Sequence, residues 1–248
     1  MIEIESAKPH PSYRHRNRLA TMASSRTLPH LFRHTAKCFA ETPAILTQER
    51  TWTYADLDDA SDGLAAGLIA RGIAPGDRVG LYCPNGAAFV RCYLGILKAG
   101  ACVVPINLLL PPTAIAFVLN DAGARAICFH AAFAEPTAAA LAEAPGVTVR
   151  VGIGPVAPET VDCRLDDLTA AAAPPAPSID PDQDPAVILY TSGTTGRPKG
   201  AVLTHANLAA NATAVAEVVA VRPGAAGDRV LGVLPMFDAF AATVGSLS

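Results

Sequence analysis

The strongest constraint on the fold of this chain is the alternation of short apolar runs with amphipathic segments along residues 53–151. Apolar residues recur at helical spacing after Thr53, which forms a capping-box pattern with Asp56, and Gly72 follows as a stop signal. The pattern predicts, in order, a helix over 53–70, a strand over 78–82, a helix ending near Gly100, a strand over 101–104, a helix opened by Pro111 and Pro112, a strand over 125–129, a helix over 137–144 and a strand over 147–151. Such alternation favours an α/β fold with parallel-rich sheets and helices on both faces.

The composition suits a packed globular interior and argues against two classes of partner. Of the 248 residues, 51% are hydrophobic and 17% are charged. The formal net charge of −3 provides no general attraction to nucleic acid or to an anionic bilayer. The most apolar region, Tyr93 to Leu119, is interrupted by Lys98, Asn107 and several prolines. We therefore predict buried core there and no transmembrane segment.

The cysteines and the first residues bear on redox state and location. The six cysteines are scattered without a CxxC pair or a His/Cys cluster, which predicts buried reduced thiols and no metal site. The first 26 residues lack an apolar signal segment, so we expect a cytoplasmic protein. Basic residues outnumber acidic ones in this opening segment, which predicts a disordered basic leader over 1–26.

A run of prolines and alanines over 171–185 interrupts the periodic pattern and predicts a surface connector. It divides a first α/β lobe, 27–170, from a second segment, 186–248. We favour two lobes of one domain, and two independent domains are the alternative.

The second segment opens with an apolar run, 186–189, followed directly by Tyr-Thr-Ser-Gly-Thr-Thr-Gly-Arg-Pro-Lys-Gly over 190–200. Glycines let the backbone turn tightly and bring N–H groups close to an anion, and hydroxyls add donors. The string matches neither the Walker pattern nor GxGxxG, which disfavours P-loop NTPases and Rossmann dehydrogenases. A polyphosphate-binding loop is the interpretation we favour over a plain turn between two strands. Thr204, His205 and Asn207 then predict a capped helix start, and 228–234 predicts a further strand.

The string over 190–200 is similar to the signature loop of the adenylate-forming superfamily, which includes acyl-CoA synthetases, peptide-synthetase adenylation domains and luciferases. Two further stretches resemble its first and second core motifs, Trp52 to Leu57 and Leu97 to Asn107. Order and separation agree from about Leu28 onward. The resemblance implies the N-terminal part of an acyl-CoA synthetase, with an α/β fold that is a partial N-terminal domain.

By this resemblance, ATP, Mg²⁺ and coenzyme A are the expected cofactors. The expected substrate is a small carboxylic acid, which would be activated to an acyl-adenylate. Lys199 would supply a positive charge, although a solvated surface lysine is the alternative reading of that residue. The hydroxyls of Thr194 and Thr195 would contact the β- and γ-phosphates of ATP, and with Lys199 they are the expected catalytic residues. The residues expected to bind ATP are Thr191, Ser192, Gly193, Thr194, Thr195, Gly196 and Lys199.

Residues 234–240 resemble a stretch that lines the acyl pocket in this family, with Phe237 and Asp238 as the expected substrate residues. Acyl-CoA synthetases commonly have histidine where this chain has Asp238, whereas amino-acid-activating members have Phe-Asp. An ionised aspartate would repel a fatty carboxylate, which keeps amino-acid and aryl-acid activation and carrier-protein loading open. Bonding of Asp238 to nearby backbone amides is another alternative. The apolar run over 103–110 favours a fatty acid.

Ser248 corresponds to about the middle of a normal family member. We therefore expect the second-half motifs, the hinge and the mobile C-terminal domain to be absent, and the chain alone to make no acyl-adenylate at a useful rate. A partial gene model, a degraded gene, a noncatalytic module that keeps the fold and one half of a split enzyme all fit. The last of these predicts a complementing C-terminal chain as a partner.

Overall fold

The structure is a computed structural model, and it describes residues 26–170, 172–191, 197–219, 232 and 234–237, without the side chains of 216–219. The predicted leader, apart from Arg26, lies outside these residues. Most of the strand expected over 228–234 also lies outside them, and Gly232 and Leu234, which are described, belong to no strand.

The described part of the chain contains six α-helices, nine strands and three short 3-10 helices. The helices are α1 Leu28–Cys38, α2 Tyr54–Ala70, α3 Ala87–Lys98, α4 Pro112–Asp121, α5 Ala134–Leu141 and α6 His205–Val219. The strands are β1 Pro43–Leu46, β2 Thr51–Thr53, β3 Arg78–Tyr82, β4 Cys102–Pro105, β5 Ala124–His130, β6 Val149–Ile153, β7 Cys163–Arg164, β8 Pro185–Thr191 and β9 Lys199–Thr204. The predicted β-α-β-α-β series is therefore confirmed, with boundaries that shift by a few residues.

Local sequence signals explain where α2 begins and ends. The Thr53 hydroxyl accepts a hydrogen bond from the Asp56 amide at 3.1 Å, and the Asp56 carboxylate accepts one from the Thr53 amide at 2.9 Å. After the helix, Gly72 adopts φ 84°, a left-handed conformation that glycine reaches without steric cost. The capping box and the stop signal expected from the sequence are both present.

Seven strands form one sheet in the order β7-β6-β5-β3-β4-β8-β9, and β1 pairs with β2 in a separate hairpin. All neighbours in the large sheet are parallel except β8 and β9. The link over 192–198 is too short for a crossover, which is why β9 runs antiparallel. Because β8 pairs with β4, strands from both sides of the proline-rich segment belong to the same sheet.

Apolar side chains cover both faces of the sheet. One cluster joins α2, α3 and the start of α6 to residues such as Val79, Leu81 and Val151. The other joins α4 and α5 to residues such as Val104, Ile127 and Phe129 on the opposite face. The prediction of a parallel-rich sheet with helices on both faces is confirmed.

The core between α1, α2 and α3 contains an ion network. Lys98, which is 3% exposed, places its ammonium 2.5 Å from a carboxylate oxygen of Asp58 and 2.9 Å from one of Asp62. The guanidinium of Arg33 lies 2.5 Å from the same Asp62 oxygen. Each buried charge therefore has an opposite charge in contact, which buried ions require.

The cysteines agree only in part with the prediction. All six are free, but Cys38 is exposed and Cys163 is half-buried, because both lie at the periphery of the sheet and its helices. Burial raises the pKa of the Cys102 thiol to about 12, which keeps it protonated and unreactive at neutral pH. Within the described residues, no helix combines the length and apolar character needed to cross a membrane.

Candidate functional site

The candidate site lies at the edge of the sheet where the parallel strands β3, β4 and β8 have their carboxyl ends. Open α/β sheets bind ligands in the crevice outside the carboxyl ends of their strands. Thr191, the last residue of β8, and Lys199, the first of β9, are both exposed and face each other as paired residues of the hairpin. The link over 192–198 therefore leaves and re-enters the sheet at this edge.

The structure describes three of the residues predicted for the site. Thr191 and Lys199 lie together at the base of the link, and Phe237 is half-buried in a separate segment. The remaining predicted residues lie outside the described part of the chain: Ser192, Gly193, Thr194, Thr195, Gly196 and Asp238. Their contacts stay predictions.

Close packing holds the base of the link. Gly200 faces Tyr190 across the hairpin, and a Cβ at Gly200 would lie 2.8 Å from Ile188 and 3.1 Å from the Tyr190 ring. Only glycine fits this position without displacing its neighbours. The final glycine of the string thus has a packing role that its sequence context did not reveal.

Tyr190 also ties the hairpin to α4. Its hydroxyl donates a hydrogen bond to the Asp121 carboxylate at 2.6 Å. Burial, followed by the hydrogen bond to Asp121, raises the pKa of Tyr190, so the phenol remains protonated and a donor at neutral pH. The sequence reasoning did not identify this pair, because the two residues are far apart in the chain and only the topology brings them together.

A second missed residue is Asn85, in the turn between β3 and α3. Its carboxamide nitrogen donates to the backbone carbonyls of Gly232, at 3.2 Å, and Leu234, at 2.7 Å. Its carboxamide oxygen accepts from the amide of Met236 at 2.8 Å. This one side chain brings the segment that contains Phe237 to the carboxyl end of β3. Its position directly after a buried strand was the available signal.

The helix that follows β9 begins as predicted, with one difference. The Thr204 hydroxyl accepts from the Asn207 amide at 3.3 Å, and the Asn207 carboxamide accepts from the Thr204 amide at 3.1 Å, which confirms the cap. His205 makes no capping bond. Its ring is 1% exposed, and among the described residues its Nδ1 has no hydrogen-bond partner. Burial lowers the pKa of His205 to about 4, and nearby Asp184 opposes this shift.

A cavity of about 410 Å³ lies between the β1–β2 hairpin and the start of α3. Its lining includes Arg50, Trp52, Asn85 and His130, and the Arg50 guanidinium stacks 3.8 Å above the Trp52 ring. In the described part of the chain, no group of three or more His, Cys, Asp or Glu residues could hold a metal ion.

Comparison with known proteins identifies a family. The profile of the family described as "AMP-binding enzyme" matches residues 32–247. The long-chain-fatty-acid–CoA ligase FadD13 of Mycobacterium tuberculosis is 39% identical over 193 residues, which cover 77% of this chain and 36% of that protein. The chain thus spans about a third of the length of this relative.

Two other proteins widen the comparison. A protein of Salinispora arenicola named as a probable non-canonical nonribosomal peptide synthetase, CymA, is 34% identical over 204 residues, which cover 82% of this chain and 2% of that protein. The crystal structure of the N-terminal domain of FACL13 from Mycobacterium tuberculosis matches with a TM-score of 0.71 and 29% identity, over 90% of this chain and 55% of that one.

Proposed function

This chain belongs to the AMP-binding enzyme family, and we propose that it forms part of a ligase that uses ATP to activate a carboxylic acid. A carboxylate oxygen attacks the α-phosphorus of ATP, the bond from the α-phosphorus to the β-phosphate oxygen breaks, and pyrophosphate leaves. The product is an acyl-adenylate. Attack of the coenzyme A thiolate on its carbonyl carbon then releases AMP and forms a thioester.

In this proposal the link over 192–198 binds the departing pyrophosphate. Thr191, Ser192 and the hydroxyls of Thr194 and Thr195 donate hydrogen bonds to phosphate oxygens, and Lys199 neutralises their charge. Holding the leaving group in line and stabilising its charge is how proteins catalyse transfer at phosphorus. Mg²⁺ enters as part of the MgATP substrate.

The observation that supports this proposal most directly is the position of Thr191 and Lys199. They lie side by side at the carboxyl edge of the parallel strands, where α/β sheets bind ligands. The packing of Gly200 beneath Tyr190 and the bond from Tyr190 to Asp121 fix the two ends of the link. A loop held at both ends loses less conformational entropy when it binds an anion.

We further propose that the acid is a fatty acid and that Phe237 and Asp238 line its binding site. The name of the mycobacterial relative and the apolar run over 103–110 support a fatty acid. The peptide synthetase relative and Asp238 support an amino acid as the second candidate, since a carboxylate can pair with an α-ammonium group. A cytoplasmic location stays a prediction.

Binding of stable acyl-adenylate mimics tests the proposal without requiring turnover. We expect decanoyl-sulfamoyl-adenosine to bind the chain at least about tenfold more tightly than adenosine sulfamate, a difference of about 1.4 kcal/mol. Leucyl-sulfamoyl-adenosine should gain no such advantage, and the opposite order would transfer the proposal to amino acids. Absence of binding by every mimic and by MgATP would refute the proposed function.

Variants of the link refine this test. The mimics lack the β- and γ-phosphates, so Thr194→Ala and Thr195→Ala should weaken MgATP binding and leave mimic binding unchanged. Thr148→Ala, an exposed threonine ahead of β6, is the matched control and should change neither.

A further inference from the structure

Asn85 makes three hydrogen bonds to one short segment that lies about 150 residues later in the chain. Its partners are alternate residues, since it contacts the carbonyl oxygens of Gly232 and Leu234 and the amide of Met236. Both carboxamide hydrogens and one oxygen lone pair are thereby used. Only one orientation of the amide satisfies two carbonyl acceptors and one N–H donor, so the assignment of its oxygen and nitrogen is unambiguous.

The elements around Asn85 are rigid. It follows the buried strand β3 and precedes Gly86, which begins α3 with φ 148°, a conformation that other residues rarely adopt. The side chain therefore leaves a fixed point of the fold, at the carboxyl edge where the proposed phosphate link also lies. A side chain mounted on two regular elements can set the position of an otherwise irregular segment.

The segment also has an apolar anchor beside Asn85. Met236 packs against a small cluster formed by Leu57, Val90 and Leu94, and Trp52 packs against the same cluster. Leu234 and Pro235 on the same segment are exposed. The three bonds from Asn85, which form a polar clamp, and the apolar contacts of Met236 both hold the residue next to Phe237. Together they fix the backbone position from which the Phe237 side chain extends.

We propose that Asn85 is a positioning residue that holds residues 232 and 234–237 in place as a wall of the acid-binding site, and so sets the affinity for the acyl group. This inference rests on the proposed function, because Phe237 is assigned to the acid only there. Asn85 itself does not contact the reacting atoms. Its effect is transmitted through the backbone of Leu234 and Met236.

The chemistry of the clamp predicts which replacements break it. Asn85→Ala removes all three hydrogen bonds. Asn85→Asp keeps the size and one acceptor but replaces both donors with a carboxylate oxygen facing the carbonyls of Gly232 and Leu234, which repels them. Asn120→Asp is the matched control, because the Asn120 carboxamide is exposed and donates to the Glu143 carbonyl at 2.8 Å, between α4 and α5.

The experiment combines amide hydrogen exchange with ligand binding on the whole 248-residue chain. In Asn85→Ala, exchange at the Met236 amide should rise by a factor on the order of ten, as expected when its hydrogen bond is lost. Asn85→Asp keeps that acceptor and disturbs only the bonds to Gly232 and Leu234. For ligand binding, the prediction is the same for both variants. The advantage of decanoyl-sulfamoyl-adenosine over adenosine sulfamate should fall by a similar factor. MgATP affinity should stay at the wild-type value, and the free energy of unfolding should fall by no more than about 1.4 kcal/mol, which is the tenfold factor expressed as an energy; a general loss of folding would exceed this. Asn120→Asp, which breaks a bond away from residues 232 and 234–237, should leave Met236 exchange, the acyl advantage and MgATP affinity unchanged.

Two results would overturn the inference while leaving the proposed function intact. In the first, Met236 exchange stays at the wild-type level in Asn85→Ala, which would show that no clamp exists. In the second, exchange rises but the acyl advantage is unchanged, which would show that the clamp does not position the acid site. A wild-type chain that binds neither MgATP nor any mimic would instead refute the proposed function, and this inference with it.

Discussion

The buried ring of His205 predicts that the stability of this protein falls between pH 7.5 and pH 5. Burial lowers the pKa of His205 from 6.5 to about 4, so the folded state favours the neutral ring. Well above pH 6.5 the ring is neutral in both the folded and the unfolded state, so its titration does not change the free energy of unfolding. As the pH falls through 6.5 the unfolded chain binds a proton that the folded protein does not bind, and the free energy of unfolding decreases.

The size of the effect follows from the two pKa values. With 6.5 in the unfolded state and about 4 in the folded state, the loss between pH 7.5 and pH 5 is about 2 kcal/mol. Asp56 and Asp162, whose pKa values are lowered by hydrogen bonds, contribute little here, because they titrate below the ordinary value of 3.8. Asp184, which faces the ring, opposes the effect without reversing it.

Urea unfolding followed by the fluorescence of Trp52, the single tryptophan, measures this free energy at each pH. Replacing His205 with Gln removes the titrating group and should flatten the dependence by about 2 kcal/mol, whatever its effect at pH 7.5. His30→Gln is the control, because His30 is exposed. Equal pH dependence in wild type and His205→Gln would refute the assignment of this ring as buried and neutral.

Three further substitutions test the packing and the polar contacts of the fold by the same unfolding assay. Lys98→Met should cost about 3 kcal/mol or more, because it leaves the carboxylates of Asp58 and Asp62 without their buried cation; a neutral result would contradict the described network. Gly200→Ala should cost about 1–3 kcal/mol, since its Cβ would lie 2.8 Å from a methyl group of Ile188, and should also weaken MgATP binding. Thr53→Ala should cost about 1 kcal/mol through loss of the capping bond, and Thr53→Ser should retain most of it.

Local chemistry accounts for the parts of the fold that the sequence predicted well. The capping pair Thr53 and Asp56, the prolines that open α4 and the stop at Gly72 each act within a few residues. Apolar periodicity located β3 and the buried face of α3, because it too is a signal between residues that are close in sequence. The β1–β2 hairpin and the helix α1 were not predicted, because the apolar residues of the hairpin are few and half-buried or exposed, and α1 buries only Leu28 and Ala36.

Long-range contacts explain what the sequence could not supply at the site. The residue types of the string over 190–200 were enough to predict a phosphate-binding loop. The bond from Tyr190 to Asp121, by contrast, depends on the pairing of strands that are far apart in the chain. Asn85 likewise has no distinctive neighbours, and its partners become evident only when residues 232–236 lie beside it. The capping role expected for His205 was wrong, because Thr204 and Asn207 make the cap between them and the His205 ring is buried instead.

The central claim is that the link between β8 and β9 holds the triphosphate of a nucleotide. Calorimetric competition tests it directly, with MgATP, inorganic tripolyphosphate and adenosine titrated separately into the wild-type chain and into the Thr194→Ala, Thr195→Ala double variant. We predict that tripolyphosphate competes with MgATP in the wild type and that the double variant loses affinity for both. Binding of MgATP that tripolyphosphate does not displace, or that the double variant retains in full, would contradict the claim.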